Sequence, residues 1–171
     1  MPGIFEAATS GRAKCRGCGQ PIARGELRFG EKLPNPFGDG EMTQWYHPLC
    51  AAYKRPDVLL EALGQPGAPD GRDALEQAAR GSLAQPRLPR IDGAERSPSS
   101  QARCRQCKEP IAKGDWRIRL VFWQDGQFEP GGFVHLGCRA AYFETADVLA
   151  PVLHFSKLDD AARAELTAAF A

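Results

Sequence analysis

The stretch CRGCGQPIARGELRFG, Cys15 to Gly30, returns as CRQCKEPIAKGDWRIR, Cys104 to Arg119, with eight of the sixteen positions identical. Each copy opens with a Cys-x2-Cys pair and is answered downstream by a His-x2-Cys pair. Cys15 and Cys18 precede His47 and Cys50; Cys104 and Cys107 precede His135 and Cys138. All six cysteines and two of the three histidines are used, and none of the cysteines is left over. Zinc takes four N/S ligands in a tetrahedron, and a Cys-x2-Cys turn brings two thiolates to one ion. Each set therefore predicts a closed Cys3His site. Such a site is structural, because a catalytic zinc keeps one position open for water. Two zinc ions per chain are expected.

A disulfide framework would also use an even number of cysteines. It would leave His47 and His135 unexplained, and the opening MPGIFEAATS has neither the charged nor the apolar segment of a secretory leader. The chain is expected to be cytoplasmic and nucleoid-associated. No apolar run approaches the ~20 residues of a membrane span, so no membrane partner is expected. Domains of this size bury too little apolar surface to fold well alone. Structural zinc can add about 10–16 kcal/mol that is also folding energy.

The repeat predicts an α+β chain of two small zinc-stabilised domains, each a short antiparallel sheet with C-terminal helices. Pro21-Ile22-Ala23 and Pro110-Ile111-Ala112 lead to turns at Gly25 and Gly114. Leu27-Arg28-Phe29 and Trp116-Arg117-Ile118 then alternate apolar and basic residues. That period of two predicts strands with Arg28 and Arg117 pointing outward. KLPNPFGDGEMTQW, after the first strand, reads as a Pro/Gly loop, whereas IRLVFWQDGQFE reads as a hairpin turning at Asp125-Gly126. Helices are expected over Leu49–Lys54 and Leu136–Glu144, and again over DGRDALEQAAR and KLDDAARAELTAAF. SLAQPRLPRIDGAERSPSSQ, Ser82 to Gln101, lacks periodicity and reads as a flexible linker. The expected domains are thus 1–81 and 102–171, joined by linker 82–101.

Net charge is only +1, but its distribution is uneven. From Gly11 to Lys32 six basic residues (Arg12, Lys14, Arg16, Arg24, Arg28, Lys32) face two acidic ones, 6 − 2 = +4. From Arg103 to Arg119 six basic residues (Arg103, Arg105, Lys108, Lys113, Arg117, Arg119) again face two acidic ones, 6 − 2 = +4. A local basic face beside each metal matters more for phosphate contact than net charge.

These residues resemble the zinc fingers of poly(ADP-ribose) polymerases, also found at the N-terminus of a eukaryotic DNA ligase. The likeness is carried by Arg12-Ala13-Lys14-Cys15, the Pro-Ile, the Gly, the Leu-Arg strand and Trp45-Tyr46-His47 with Cys50. His154-Phe155-Ser156-Lys157-Leu158-Asp159-Asp160 resembles the family's closing segment. A gap of 28 or 27 residues between ligand pairs separates both fingers from the C2H2 type.

The resemblance implies recognition of DNA strand breaks rather than of base sequence. By position it implies phosphate contacts from Arg12 and Arg28, and from Arg117 in the second repeat. Gln101 stands where the other arginine of that repeat would fall, with Arg103 as its substitute; Arg16 completes the basic set. It also implies base-stacking side chains in the loop before His47. Met42 aligns with one stacking position; Phe37 neighbours Gly38, which aligns with the other. Trp123 and Phe128 are the candidates in the second repeat. Trp45, Phe133, Trp116 and Phe122 are expected in the core, and His154 is expected to take no part. Nothing resembles a nucleotide-binding loop, and no thiol is left as a nucleophile. The expected protein is a monomeric, non-catalytic module that binds broken DNA, with a repair enzyme acting in trans. A zinc-dependent protein adaptor and a single-stranded DNA or RNA binder are the alternatives.

Overall fold

The computed structural model describes residues 3–171 as two compact units that divide after Ala84. Both are α+β.

The first unit is an antiparallel sheet of β1 (Gly3–Ala7), β2 (Leu27–Pro34) and β3 (Glu41–Tyr46), in the order β1-β2-β3, followed by α1 (Pro48–Lys54), α2 (Pro56–Leu63) and α3 (Asp73–Leu83). Register pairs Phe5 with Phe29 and Phe29 with Tyr46, so three rings share one face of the sheet. Phe29 and Tyr46 are fully buried there with Ile22, Ala51 and Leu59. Gly3 is held small by this packing: a Cβ on it would meet the Phe29 ring at 2.6 Å. Proline stands at the first position of both α1 and α2, where its missing N–H costs nothing. The two helices meet at Arg55. Its guanidinium donates to both carboxylate oxygens of Glu31 on β2, at 2.9 and 2.6 Å, and Glu31 is only 2% exposed.

The second unit repeats the plan. A 3-10 turn at Leu88–Arg90 leads into β4 (Ile91–Arg96), then β5 (Trp116–Gln124) and β6 (Gln127–His135), in the order β4-β5-β6. Asp125 and Gly126 form the hairpin turn with φ of +53° and +79°, as the Asp-Gly pair predicts. A 3-10 turn at Leu136–Cys138 precedes α4 (Arg139–Phe143), α5 (Leu149–Phe155) and α6 (Asp160–Ala169). Asp159 caps α6, its Oδ1 accepting from the Ala162 N–H at 2.8 Å. The core gathers Ile111, Ile118, Leu120, Val134, Phe143, Val148, Val152 and Leu166. At Gly93 the chain passes so close to α5 that a Cβ would sit 2.6 Å from the Phe155 carbonyl oxygen.

Three expectations need correction. Residues 82–101 are not a linker: Ser82 and Leu83 close α3, Leu88 is core, and Ile91–Arg96 is a sheet strand. The second unit therefore begins before residue 102, because β5 requires a partner on that side. The Pro/Gly segment of the first repeat is loop only between Pro34 and Glu41, since its flanks form a hairpin. The helix expected over Leu136–Glu144 starts as a 3-10 turn and stops at Phe143, with Glu144 in the left-handed region at φ +61°.

Removing one partner of a buried ion pair leaves an uncompensated charge and costs about 3–5 kcal/mol. Arg55→Ala is expected to destabilise the first unit by that order, because Glu31 would keep its burial and lose its cation. Amide hydrogen exchange over residues 3–84 measures it; unchanged protection would show that the pair contributes little.

Candidate metal centres and nucleic-acid interface

Each metal set is assembled from a tight turn and a sheet–helix junction. In the first, the Cys15 N–H donates to the Gln20 carbonyl and the Gly19 N–H returns to the Cys15 carbonyl at 2.8 Å. Gly19 takes φ +76°, the left-handed step that lets the turn close. The other two ligands, His47 and Cys50, flank the start of α1. N–H groups of Gly17 and His47 both donate to Cys15 Sγ at 3.3 Å. The second turn has the same bonds. Cys104 N–H donates to the Glu109 carbonyl, Lys108 N–H to the Cys104 carbonyl, and the N–H groups of Gln106 and His135 to Cys104 Sγ at 3.4 and 3.3 Å. Burial raises the Cys104 pKa, but the donors from Cys107, His135 and Gln106 outweigh it and bring the thiol down to about 6.

The ligand atoms fit zinc. With Zn–S near 2.3 Å and Zn–N near 2.0 Å, tetrahedral ligands stand roughly 3.5–3.8 Å apart. His47 Nδ1 lies 3.4 Å from Cys18 Sγ and 4.0 Å from Cys50 Sγ. His135 Nδ1 lies 3.3 Å from Cys107 Sγ and 3.8 Å from Cys138 Sγ. In each set all four ligand atoms lie within 4.8 Å of one another. Four protein ligands close each site, so the metal's role is to pin the turn to the sheet–helix junction. Both histidines turn Nδ1 toward the sulfurs, the nitrogen that would ligate. The free Nε2 of His47 faces Glu26 Oε1 at 3.7 Å, and that of His135 lies 3.1 Å from the Pro110 carbonyl oxygen.

The basic residues fall into two groups. Arg12, Lys14, Arg16 and Arg24 are exposed around the first metal turn and have no acidic partner among the described residues. Arg103, Arg105, Lys108 and Lys113 are exposed around the second; Arg103 and Lys108 donate to backbone carbonyls of that turn. Arg28 and Arg117 differ. They are 6% and 7% exposed, not outward as expected. Arg28 Nη2 donates to Glu6 Oε1 at 2.7 Å, and its guanidinium stacks 3.6 Å from the Trp45 ring centroid. Arg117 donates through Nε and Nη2 to Glu95 Oε2, at 3.1 and 2.5 Å, and through Nη1 to Ser97 Oγ, while stacking 3.5 Å from the Phe133 centroid. Alternation placed both arginines on the face opposite the core correctly. It could not show that this face is roofed by an aromatic residue from the next strand. Gly30 makes the room: a Cβ there would come within 2.7 Å of the Trp45 ring.

Trp45 and Phe133 are thus half-buried on the outer face rather than in the core. Phe122 is half-buried between the guanidiniums of Arg90 and Arg105, at 4.6 and 5.0 Å. Trp116 is core, as expected. Phe37, at the tip between β2 and β3, is 95% exposed, its N–H bonded to Asn35 Oδ1. Met42 is half-buried opposite Leu33 on β3. Trp123 and Phe128 pair across the β5–β6 hairpin, edge to face, with centroids 4.9 Å apart. His154 packs edge-on against Phe155.

Glu6 and Glu95 escaped the sequence reading although the signal was present. Both pairs span 22 residues, Glu6 to Arg28 and Glu95 to Arg117. The repeat therefore begins upstream of the first cysteine in each copy.

The comparisons agree with this geometry. Residues 6–85 match the zinc-finger region of poly(ADP-ribose) polymerase and DNA ligase. The chain is similar to the polynucleotide 3'-phosphatase ZDP of Arabidopsis thaliana, 25% identical over 97% of this chain and 28% of the relative. It is 26% identical to the poly(ADP-ribose) polymerase of Drosophila melanogaster over 82% of this chain and 16% of the relative. With poly(ADP-ribose) polymerase 1 of Caenorhabditis elegans the identity reaches 40%, over 37% of this chain and 7% of the relative. The chain thus spans under a third of the length of these relatives.

Metal analysis of the purified protein is expected to find two zinc ions per chain. Arg28→Met should destabilise the first unit by on the order of 1–3 kcal/mol, from loss of a desolvated cation–π contact and of the charge facing Glu6. Urea unfolding measures it. Stability equal to the parent's would mean that the stacked pair does not hold the sheet.

Proposed function

We propose that this chain, built on a zinc finger of the poly(ADP-ribose) polymerase and DNA-ligase type, is a non-catalytic DNA-binding protein that recognises strand breaks. Phe37 carries the reading. A large ring left 95% exposed at a hairpin tip contributes nothing to the core, and its transfer to water is unfavourable. It is suited to a flat apolar surface that appears only when a partner is present. In intact duplex DNA base faces are stacked and hidden. At a nick, gap or end one face is available, and an aromatic side chain laid on it recovers about 1–3 kcal/mol.

Affinity without sequence preference would come from the exposed cations around the metal turns. Arg12, Arg16 and Arg103, with Lys14, Arg24, Arg105, Lys108 and Lys113, are exposed and carry charge that no carboxylate among the described residues neutralises, leaving it for phosphates. Arg28 and Arg117 hold the sheets that display them. In the second unit the Trp123–Phe128 pair occupies the hairpin tip corresponding to Phe37. It offers an apolar edge of two rings that partly cover each other, so the first unit is the principal reader of the break.

Neither metal site keeps a position for water, so catalysis at a break falls to a repair enzyme acting on the same end. The relatives support that division. A polynucleotide 3'-phosphatase works at a strand terminus by the nature of its substrate, and the matched part of each relative is a small share of its length. The chain acts as a monomer in this reading.

Binding is tested at one salt concentration on intact, nicked, gapped, blunt and single-stranded DNA. Nicked or gapped duplex should bind best, and Phe37→Ala should remove about 1–3 kcal/mol of that affinity while leaving intact duplex unchanged. Equal loss on intact duplex would reduce the chain to a general phosphate binder, and tightest binding to single strands would favour a single-strand role. Log affinity should fall linearly with log salt, by roughly 0.9 for each phosphate neutralised, and Arg16→Ala should flatten that slope by about one contact.

A further inference from the structure

The two metal sites share one ligand set but not one environment, and we propose that the second is the exchangeable site: it surrenders its zinc while the first retains it. Three observations point the same way. In the first site Cys15 and Cys50 are both buried; in the second only Cys104 is, Cys138 is half-buried and Cys107 is exposed. A competing ligand displaces a thiolate by approaching the metal, so an exposed sulfur is the point of entry.

The turns differ in strain. Gly19 and Lys108 occupy the same place, each donating its N–H to the first cysteine's carbonyl, and both are left-handed, at φ +76° and +67°. Glycine accepts that conformation freely; a residue with a Cβ does not. The second turn is closed against a local preference to open.

The turns also differ in support. Lys54 on α1 is buried and donates Nζ to the Gly17 carbonyl at 2.6 Å, tying the first turn to the helix that carries Cys50. Three thiolates, a neutral histidine and Zn2+ sum to −1, and the buried ammonium brings a compensating charge to that turn. The second turn is held by two exposed side chains from its own segment, Arg103 donating to the Lys108 carbonyl at 3.1 Å and Lys108 reaching back to the Arg105 carbonyl at 2.8 Å, and neither ties it to a helix. One difference runs the other way: His135 Nε2 is bonded to Pro110 at 3.1 Å, closer than His47 is to Glu26. That bond orients the ring without shielding any sulfur, so exposure and strain decide.

The consequence is a chain that exists in two metal states. At ample zinc both units are metallated; when zinc is limiting the first alone is. The inference rests on the metal sites and holds whatever the chain binds.

The test is zinc release from the fully loaded, full-length protein into excess 4-(2-pyridylazo)resorcinol, with N-ethylmaleimide labelling mapped by mass spectrometry at intervals. Release is expected in two steps of one equivalent each, with Cys104, Cys107 and Cys138 labelled during the first and Cys15, Cys18 and Cys50 during the second. Lys108→Gly should slow the first step roughly three- to fivefold, the relieved strain being partly offset by the greater freedom of the open turn. Lys54→Met should quicken the second step about tenfold or more, the usual scale for loss of a group supporting the ligands, and leave the first unchanged. A single step releasing both ions, or labelling of Cys15, Cys18 and Cys50 first, would overturn the proposal.

Discussion

Everything in each unit hangs on a tetrahedron closed between two chain segments far apart in sequence. The Cys-x2-Cys turn has no core of its own, and the His-x2-Cys pair sits where a strand hands over to a helix. Joining them fixes the turn against the sheet's last strand: the N–H of Arg16 reaches the Trp45 carbonyl at 2.9 Å, and that of Arg105 reaches the Phe133 carbonyl at the same distance. The exposed cations flanking each turn are displayed by this arrangement. Metal, sheet and basic surface are therefore one construction, and removing zinc should dissolve all three together.

The second constraint is the Glu–Arg–aromatic stack on the outer face of each sheet. It turns a surface that would ordinarily be wet into a half-buried layer. An arginine there can be both charged and satisfied, because the carboxylate answers part of the fork and the ring covers its plane. The aromatic is Trp45 in one unit and Phe133 in the other, and the carboxylate binds through one donor or two. The plan is conserved between the units while its details are free.

Much of this was legible in the sequence, and the exceptions have physical causes. The ligands could be read because metal chemistry demands fixed residue types at fixed spacing. The hairpin at Asp125-Gly126 could be read because its turn demands positive φ at both positions. Strand β4 could not, because IDGAER carries Gly93 and three charged residues in six positions, and its place in the sheet comes from β5. Asp92 and Glu95 make sense only once Arg117 and Arg119 are seen beside them. The same cause misplaced Arg28 and Arg117: periodicity gives the face of a residue, but what covers that face is a tertiary fact. Phe37, by contrast, was singled out by the family resemblance, as the neighbour of an aligned stacking position, and the composition of its loop agrees with its exposure.

The matching strands β1 and β4 govern how this chain can be divided. A fragment cut at residue 102, where composition first looks foldable, would keep every ligand of the second zinc and still lose the strand beside β5. Its sheet would present a bare edge of unpaired N–H and C=O groups next to an arginine stripped of its carboxylate. Open edges of this kind recruit other strands, so such a fragment would tend to self-associate rather than stay dispersed. The natural seam lies near residue 84, some seventeen residues upstream, on the far side of a segment that looks like a spacer and is a wall of the domain.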